Sequence, residues 1–427
     1  MGSLGGMGRM RPRPATAAAR MGRHIRQTVA PRFPPDLSGS RRQLSLTFAR
    51  VAETIPKPDR LLSLDVMRGL VVVGMIVVNS ASFVKGADNF DVYPILLHAK
   101  WAGFTLADFV FPSFVFMVGV SIALALRGNA PSRPIASPTL KPTLRTIAWR
   151  SLRLIFAGLV ISNLEWAADW NENTFRVMGV LQRIGLCYGA CAILFLTLSA
   201  RVRFILLTAL LLLYWPLTLI PSPDGVATDL FTAGANFVSW CDRALFGDFN
   251  YVQEPIGFDP EGLVGTLPAI AQCLLGVAVG EWLLRHARQQ NAARHLALAG
   301  AALALAGLGW SFVFPMIKAI WSSSFVLWTT GLAMILLALC HWLFDCKQWR
   351  GIVTAFFVPF GMNAIFAYIL HEFASLMLQG DLMRWFHDAA SHALPARAAS
   401  LVPVIVFVLI IWAPLRYLQR RGWIIRI

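Results

Sequence analysis

The sequence predicts an all-α fold, a polytopic transmembrane helix bundle of about ten spans with both termini cytosolic. Three observations carry this prediction. Of the 427 residues, 57% are hydrophobic and 14% are charged. A soluble domain carries about 25% charged residues, so this chain has too little polar surface to cover a water-soluble globule. The apolar residues also gather into runs near the length of about 20 that crosses a hydrocarbon core of about 30 Å. Finally, loops of basic and acidic character alternate between those runs.

Residues 1–58 stand apart from this pattern. They are rich in Arg, Pro, Gly and Ala, and they hold few acids. They contain no apolar core of a signal peptide. An Arg-rich, acid-poor stretch resembles a transit peptide, but the simpler reading is a disordered basic tail. A start assigned too early is the other reading, with Met7, Met10 and Met21 as alternatives. Residues 59–427 then form one transmembrane domain. Its spans are expected at 66–84, 106–126, 146–163, 178–198, 203–220, 263–284, 295–314, 322–344, 352–372 and 400–417. Gly and Pro inside several of them are tolerated in lipid, where neighbouring helices satisfy the freed backbone groups.

The net charge of +16 raises nucleic acid as a partner. Its placement argues against that. Basic residues fill the tail, the loop 127–145, the short turns with Arg201, Arg203, Arg285, Arg288, Arg294, Lys347 and Arg350, and the C-terminus. With ten spans all of these fall on one side. Most acids fall on the other, among them Asp88, Asp91, Glu165, Asp224, Asp242, Asp259, Glu261 and Asp381. This is the positive-inside pattern, which reports orientation and places both termini in the cytosol. Of the six cysteines none forms a CxxC pair, so neither a disulfide framework nor a zinc site is expected. There is no HExxH, phosphate-binding loop, GxGxxG or serine-hydrolase elbow.

Polar residues inside apolar runs are functional candidates, because a charge deep in a span costs roughly 2.5–3.5 kcal/mol. Asp65 and Arg68 share a helix face at the mouth of the first span. They either anchor the helix end, or Arg68 helps to hold an anionic ligand. Asn79, near the other end of that span, can bond a neighbouring helix or stabilise an oxyanion. His98 lies at the exoplasmic rim, with Asp108 ten residues on at the start of the second run. Asp108 can orient the His98 imidazole, as in acyl-transfer pairs, or it can simply cap its helix. Arg183 lies in the apolar run of 176–188. Asp259 and Glu261 precede the sixth span. Asn363 lies within the ninth, and His371–Glu372 at its exoplasmic end. Together these residues suggest polar rings at two depths around a cavity.

The segments SLDVMRG, HAKWAGFTLADFVFPSFVFMVGVS, GVLQRIGLCY, FDPEGLVGTLPAI, LWTTG and PFGMNAIFAYILHE, in this order, resemble the heparan-alpha-glucosaminide N-acetyltransferase family. The resemblance runs from about residue 60 to the C-terminus. It implies a transmembrane acetyltransferase that takes acetyl-CoA from the cytosol and acetylates the amine of a glucosamine-like sugar at the exoplasmic side. His98 and Asp108 match the histidine and aspartate of the family's KHASWNGLTVADLVFP stretch, and Asn79 matches the asparagine that ends its first span. All three are expected to be catalytic. Arg68, Arg183 and Asn363 are expected on acetyl-CoA, and Asp259, Glu261, His371 and Glu372 on the acceptor. Relative to the lysosomal enzyme, the reading expects no luminal domain and no leading span. Acetyl-CoA is a co-substrate and no metal is expected. The partners are membrane lipid, acetyl-CoA and the amino sugar, with a homodimer left open, and the location is a bacterial inner membrane. A membrane N-acetylglucosamine or amino-sugar transporter without chemistry is the alternative.

Overall fold

The computed structural model describes residues 61–88, 90–126, 140–168, 175–378 and 380–425. The basic tail 1–58 lies outside the described residues. The described chain is helical, with only isolated bridges besides. Its principal helices are α1 (Leu62–Asp88), α2 (Leu106–Leu126), α3 (Leu140–Ser162), α4 (Val180–Thr197), α5 (Ala200–Thr218), α6 (Phe237–Phe246), α7 (Thr266–His286), α8 (Ala292–Trp310), α9 (Ser323–Cys340), α10 (Ile352–Met362), α11 (Ala364–Leu378), α12 (Asp381–Ser391) and α13 (Leu401–Arg420).

Each of the apolar runs expected from the sequence is helical. Among the described residues eight helices are long and apolar enough to cross a membrane. The α10–α11 pair makes a ninth span if counted as one, although it bends by 83° at Asn363. The remaining expected segment, 146–163, overlaps α3 up to its end at Ser162. That helix is long enough, but Arg145, Arg150 and Arg153 set it apart from the others, and all three side chains are exposed.

Glycines let the helices approach closely. A Cβ on Gly119 of α2 would lie 1.9 Å from the Cys273 carbonyl oxygen of α7, and one on Gly276 of α7 would lie 2.1 Å from the Phe116 carbonyl oxygen. Small residues at such crossings bring backbones together where lipid offers no hydrophobic drive for association. The same device joins α1 to α10, where a Cβ on Gly361 would meet the Asp65 carbonyl oxygen at 1.8 Å. Gly119→Leu is therefore expected to overpack the α2–α7 seam and destabilise the bundle by about 1–3 kcal/mol. Thermal unfolding in detergent reads this directly, and an unchanged midpoint would refute the crossing as drawn.

The first span is tied down at its start. The Leu62 and Ser63 amides donate to Asp345 Oδ1 at 3.1 and 3.3 Å, which satisfies donors that a helix N-terminus leaves open. His341 Nδ1 lies 2.9 Å from the second oxygen of the same carboxylate. The chain beyond α13 folds back onto the break in the ninth span. Ile425 N donates to Asn363 Oδ1 at 2.8 Å, and Asn363 Nδ2 donates to the Trp423 carbonyl at 3.4 Å.

Candidate active site

Two cavities stack within the bundle. The first, about 520 Å³, lies where α1 begins and α2 ends. Arg68, Arg150 and Arg153 give it a basic wall, completed by Ser121, Tyr188 and the apolar Ile424 and Ile425. Arg68 is held in place by Asp65 Oδ1 at 3.1 Å and by Ser121 Oγ at 2.7 Å. The ion pair of Asp65 and Arg68 forms, and Arg68 also lines the cavity. Arg150 lies over the Tyr188 ring, 4.8 Å from its centre. The second cavity, about 360 Å³, lies toward the other end and is lined by Asn79, His98, Arg176, Glu261 and Lys318. Met75, Phe114, Val180 and Tyr368 line both cavities.

The second cavity takes its geometry from a short loop. Asp108 sits in the first turn of α2, three residues after Thr105. Its Oδ2 accepts from Thr105 N at 3.1 Å, from Thr105 Oγ1 at 3.0 Å and from Ala99 N at 3.1 Å. This is the reach-back of a capping box, which satisfies open donors at the helix start. Its Oδ1 meets His98 Nδ1 at 2.8 Å. Capping and orienting were alternatives from the sequence, and one carboxylate performs both. The Asp108 side chain is 1% exposed and that of His98 is 41% exposed, so a buried anion fixes an imidazole that stays open to the cavity. With Nδ1 committed to Asp108, Nε2 is the nitrogen left for chemistry.

A second loop closes over the first. Gly103, with φ of 127°, donates its N–H to the Met316 carbonyl at 2.8 Å, and Ala102 bridges Ile317. Lys318 follows directly. Its Nζ lies 3.1 Å from His98 Nδ1, 3.3 Å from Nε2 and 3.7 Å from Asp108 Oδ1. Burial pushes the Lys318 ammonium below its ordinary value, more than Asp108 and Glu261 pull it up. The sequence marks Lys318 only as the charged residue of a short loop before the eighth span and gives it no partner. It lies 220 residues from His98 in the chain, so no spacing argument joins them.

Asn79 lines the cavity, and its Nδ2 lies 3.3 Å from His371 Nε2. The two residues are brought together, but His371 is buried behind Asn79, edge-on to Phe407, and does not line the cavity. Glu372 lines neither cavity, although Tyr368, one turn before it, lines both. Arg183 is fully buried. Its Nη2 donates to the Gly262 carbonyl at 3.1 Å and its guanidinium lies 4.8 Å from the centre of the Trp321 ring. It pins the 259–265 loop and is absent from the wall of the basic cavity. Asn363 is likewise outside that wall, but it anchors the segment whose Ile424 and Ile425 form part of it. Arg150 and Arg153, for which the sequence suggests no site role, line it beside Arg68.

Glu261 faces the second cavity and pairs with Arg176, which also lies 3.6 Å from Asp259 Oδ1 and 4.0 Å from the centre of the Tyr251 ring. Burial opposes ionisation of Glu261, yet Arg176, Arg183 and Lys318 hold its carboxyl below the ordinary range. Asp259 and Asp242 behave oppositely. Burial and the neighbouring Glu261 push Asp259 to about 6, and burial with the Asp259 charge pushes Asp242 to about 7. The Asp259 amide approaches Asp242 Oδ2 at 3.5 Å, and a Cβ on Gly262 would lie 2.2 Å from Asp242 Oδ1.

Both aspartates titrate above the 3.8 of an ordinary side chain. The folded loop therefore binds more protons than the unfolded one. Its contribution to stability is complete below about pH 4 and is lost as pH rises through the two folded values. The depressed Glu261 has the opposite sign and titrates at lower pH. The melting temperature is expected to fall from pH 5 to pH 8, and Asp242→Asn to flatten that slope. An unchanged slope in the variant would refute the assignment.

Residues 60–318 match the family described as heparan-alpha-glucosaminide N-acetyltransferase, catalytic. The chain is 30% identical to the heparan-alpha-glucosaminide N-acetyltransferase of Homo sapiens and 29% identical to that of Mus musculus. Each comparison covers 74% of this chain and 53% of the mammalian protein, so the chain spans about half the length of the curated relatives it matches.

Proposed function

Because the chain belongs to the heparan-alpha-glucosaminide N-acetyltransferase family, we propose that it is a transmembrane acetyltransferase, moving an acetyl group from acetyl-CoA to the amine of a glucosamine-like sugar on the opposite side of the membrane. The carrying observation is the His98–Asp108 pair, which opens into one cavity while a basic cavity lies directly behind it. In this reading the basic end and both termini face the cytosol, in keeping with the positive-inside charges. The site is a bacterial inner membrane and no metal takes part.

Arg68, Arg150 and Arg153 bind the phosphates of acetyl-CoA, for which guanidinium groups are well shaped. The pantetheine arm passes between Met75, Phe114, Val180 and Tyr368, and the thioester reaches the second cavity. His98 Nε2 takes the proton of the acceptor amine, or accepts the acetyl group itself. Asp108 holds the productive tautomer of His98. Asn79 donates to the developing oxyanion, its amide steadied by His371. Glu261, with Arg176 fixing its carboxylate, bonds the sugar hydroxyls. Arg183 and Asp259 support that loop.

Purified protein given labelled acetyl-CoA and a panel of amino sugars tests the reading, with acetylated glucosamine as the expected product. Uptake of N-acetylglucosamine into vesicles without acetyl-CoA, and no acetyl transfer, would make the protein a transporter instead. The Arg150→Gln, Arg153→Gln double variant is expected to raise the KM for acetyl-CoA with little change in kcat. Hydrogen bonds to charged groups contribute about 1.5–3 kcal/mol each, so the rise should reach about 100-fold or more. An unchanged KM would remove acetyl-CoA from the basic cavity.

A further inference from the structure

Lys318 carries a consequence beyond the reaction proposed above. Its loop is fixed from several directions. Ile317 bridges Ala102, the Ile317 amide donates to Ser322 Oγ at 3.0 Å, and Tyr214 Oη donates to the Ile320 carbonyl at 2.5 Å. Trp321, fully buried at φ of 56°, donates its Nε1–H to Gln272 Oε1 at 2.9 Å. The amine so placed is a primary amine, the same chemical class as the acceptor, and it lies 3.3 Å from the imidazole nitrogen left for chemistry. Burial favours its neutral form, the form that attacks an acyl group. A side chain that served only as the ion-pair partner of Asp108 would remain unmodified during turnover.

We propose that Lys318 is an acetylation site of this chain, accepting the acetyl group at Nζ whenever acetyl-CoA is bound and no amino sugar occupies the second cavity. This rests on the acetyl-transfer reading. The thioester C–S bond breaks and an amide C–N bond forms at Nζ. His98 Nε2 takes the proton lost by the amine and returns it to the CoA thiolate, so the products are Nε-acetyl-lysine and free CoA. If His98 is acetylated first, its N–C bond breaks in the second step, the imidazole is regenerated and the same atoms balance. The amide is chemically stable, and the added acetyl group occupies space in the second cavity. Acetylation of Lys318 therefore ends turnover, and a bound acceptor protects against it.

Full-length protein in detergent is incubated with deuterated acetyl-CoA, with and without glucosamine, and mapped by peptide mass spectrometry. The expected result is one label per chain, on Lys318, suppressed by saturating glucosamine. Labelling should be at least about 100-fold slower in His98→Ala, the low end for loss of a positioned acid–base group. That variant is first checked for acetyl-CoA-dependent thermal stabilisation, which shows that it is folded and binds the donor. An unmodified Lys318 in a preparation that acetylates glucosamine would overturn this proposal and leave the enzymatic reading standing. Labelling of Lys318 at the same rate in His98→Ala would mark non-enzymatic acetylation and overturn it as well. A preparation that labels no lysine and acetylates no sugar would overturn both.

Discussion

His98→Ala is expected to lower acetyl transfer at saturating substrates by about 10²–10⁴-fold, the range for loss of a positioned acid–base group. The protein should still fold. The His98 side chain is 41% exposed and reaches into a cavity, so its removal opens no hole in a packed core. The basic cavity does not include His98, and acetyl-CoA binding should persist in the variant. Stopped-assay kinetics and acetyl-CoA-dependent thermal shifts separate the two quantities. Turnover within a few-fold of the parent would dismiss His98 as the acid–base group.

Asp108→Asn should cost about as much by a different route, up to about 10⁴-fold. One carboxylate oxygen receives three donors, from Ala99 N, Thr105 N and Thr105 Oγ1. In the asparagine variant the amide oxygen is drawn to those donors, and the NH₂ group turns toward His98. Imidazole Nδ1 must then accept a hydrogen bond, which moves the ring proton to Nε2. The nitrogen facing the substrates can then no longer take a proton. The substitution keeps size and cap, so the melting temperature should move little while kcat collapses and the KM for acetyl-CoA holds. Retention of kcat would show that Asp108 serves the helix start alone.

Hydropathy made most of the architecture legible. Apolar runs long enough to span a bilayer must become helices, because lipid leaves no other way to satisfy the backbone. The break at Asn363 escaped that reading, since a hydropathy sum over 352–372 does not register a single backbone bend. The His98–Asp108 pair was legible because the partners are ten residues apart, and the acid opens a helix. Lys318 and Arg176 were not, because their partners come from distant loops that meet only after the spans assemble. Arg150 and Arg153 are not legible for a third reason. The basic residues near them carry an orientation signal, and only the packing of α3 beside α4 sets these two exposed side chains along a cavity wall. Arg183 is the converse: a charge in an apolar run that serves to hold a loop.

The four side chains common to both cavities, Met75, Phe114, Val180 and Tyr368, have a bearing on the electrical integrity of the membrane. Two water-accessible chambers placed end to end would form a conduit if they merged, and ions would run down their gradients through it. A short constriction of apolar surface resists wetting and so blocks hydrated ions even where it is not fully occluded. Three of the four residues are wholly hydrophobic, and the fourth presents an aromatic ring. On the acetyl-transfer reading, the partition acts as an insulator between two aqueous compartments, one that an uncharged acyl-bearing arm can part at little cost but a bare cation cannot.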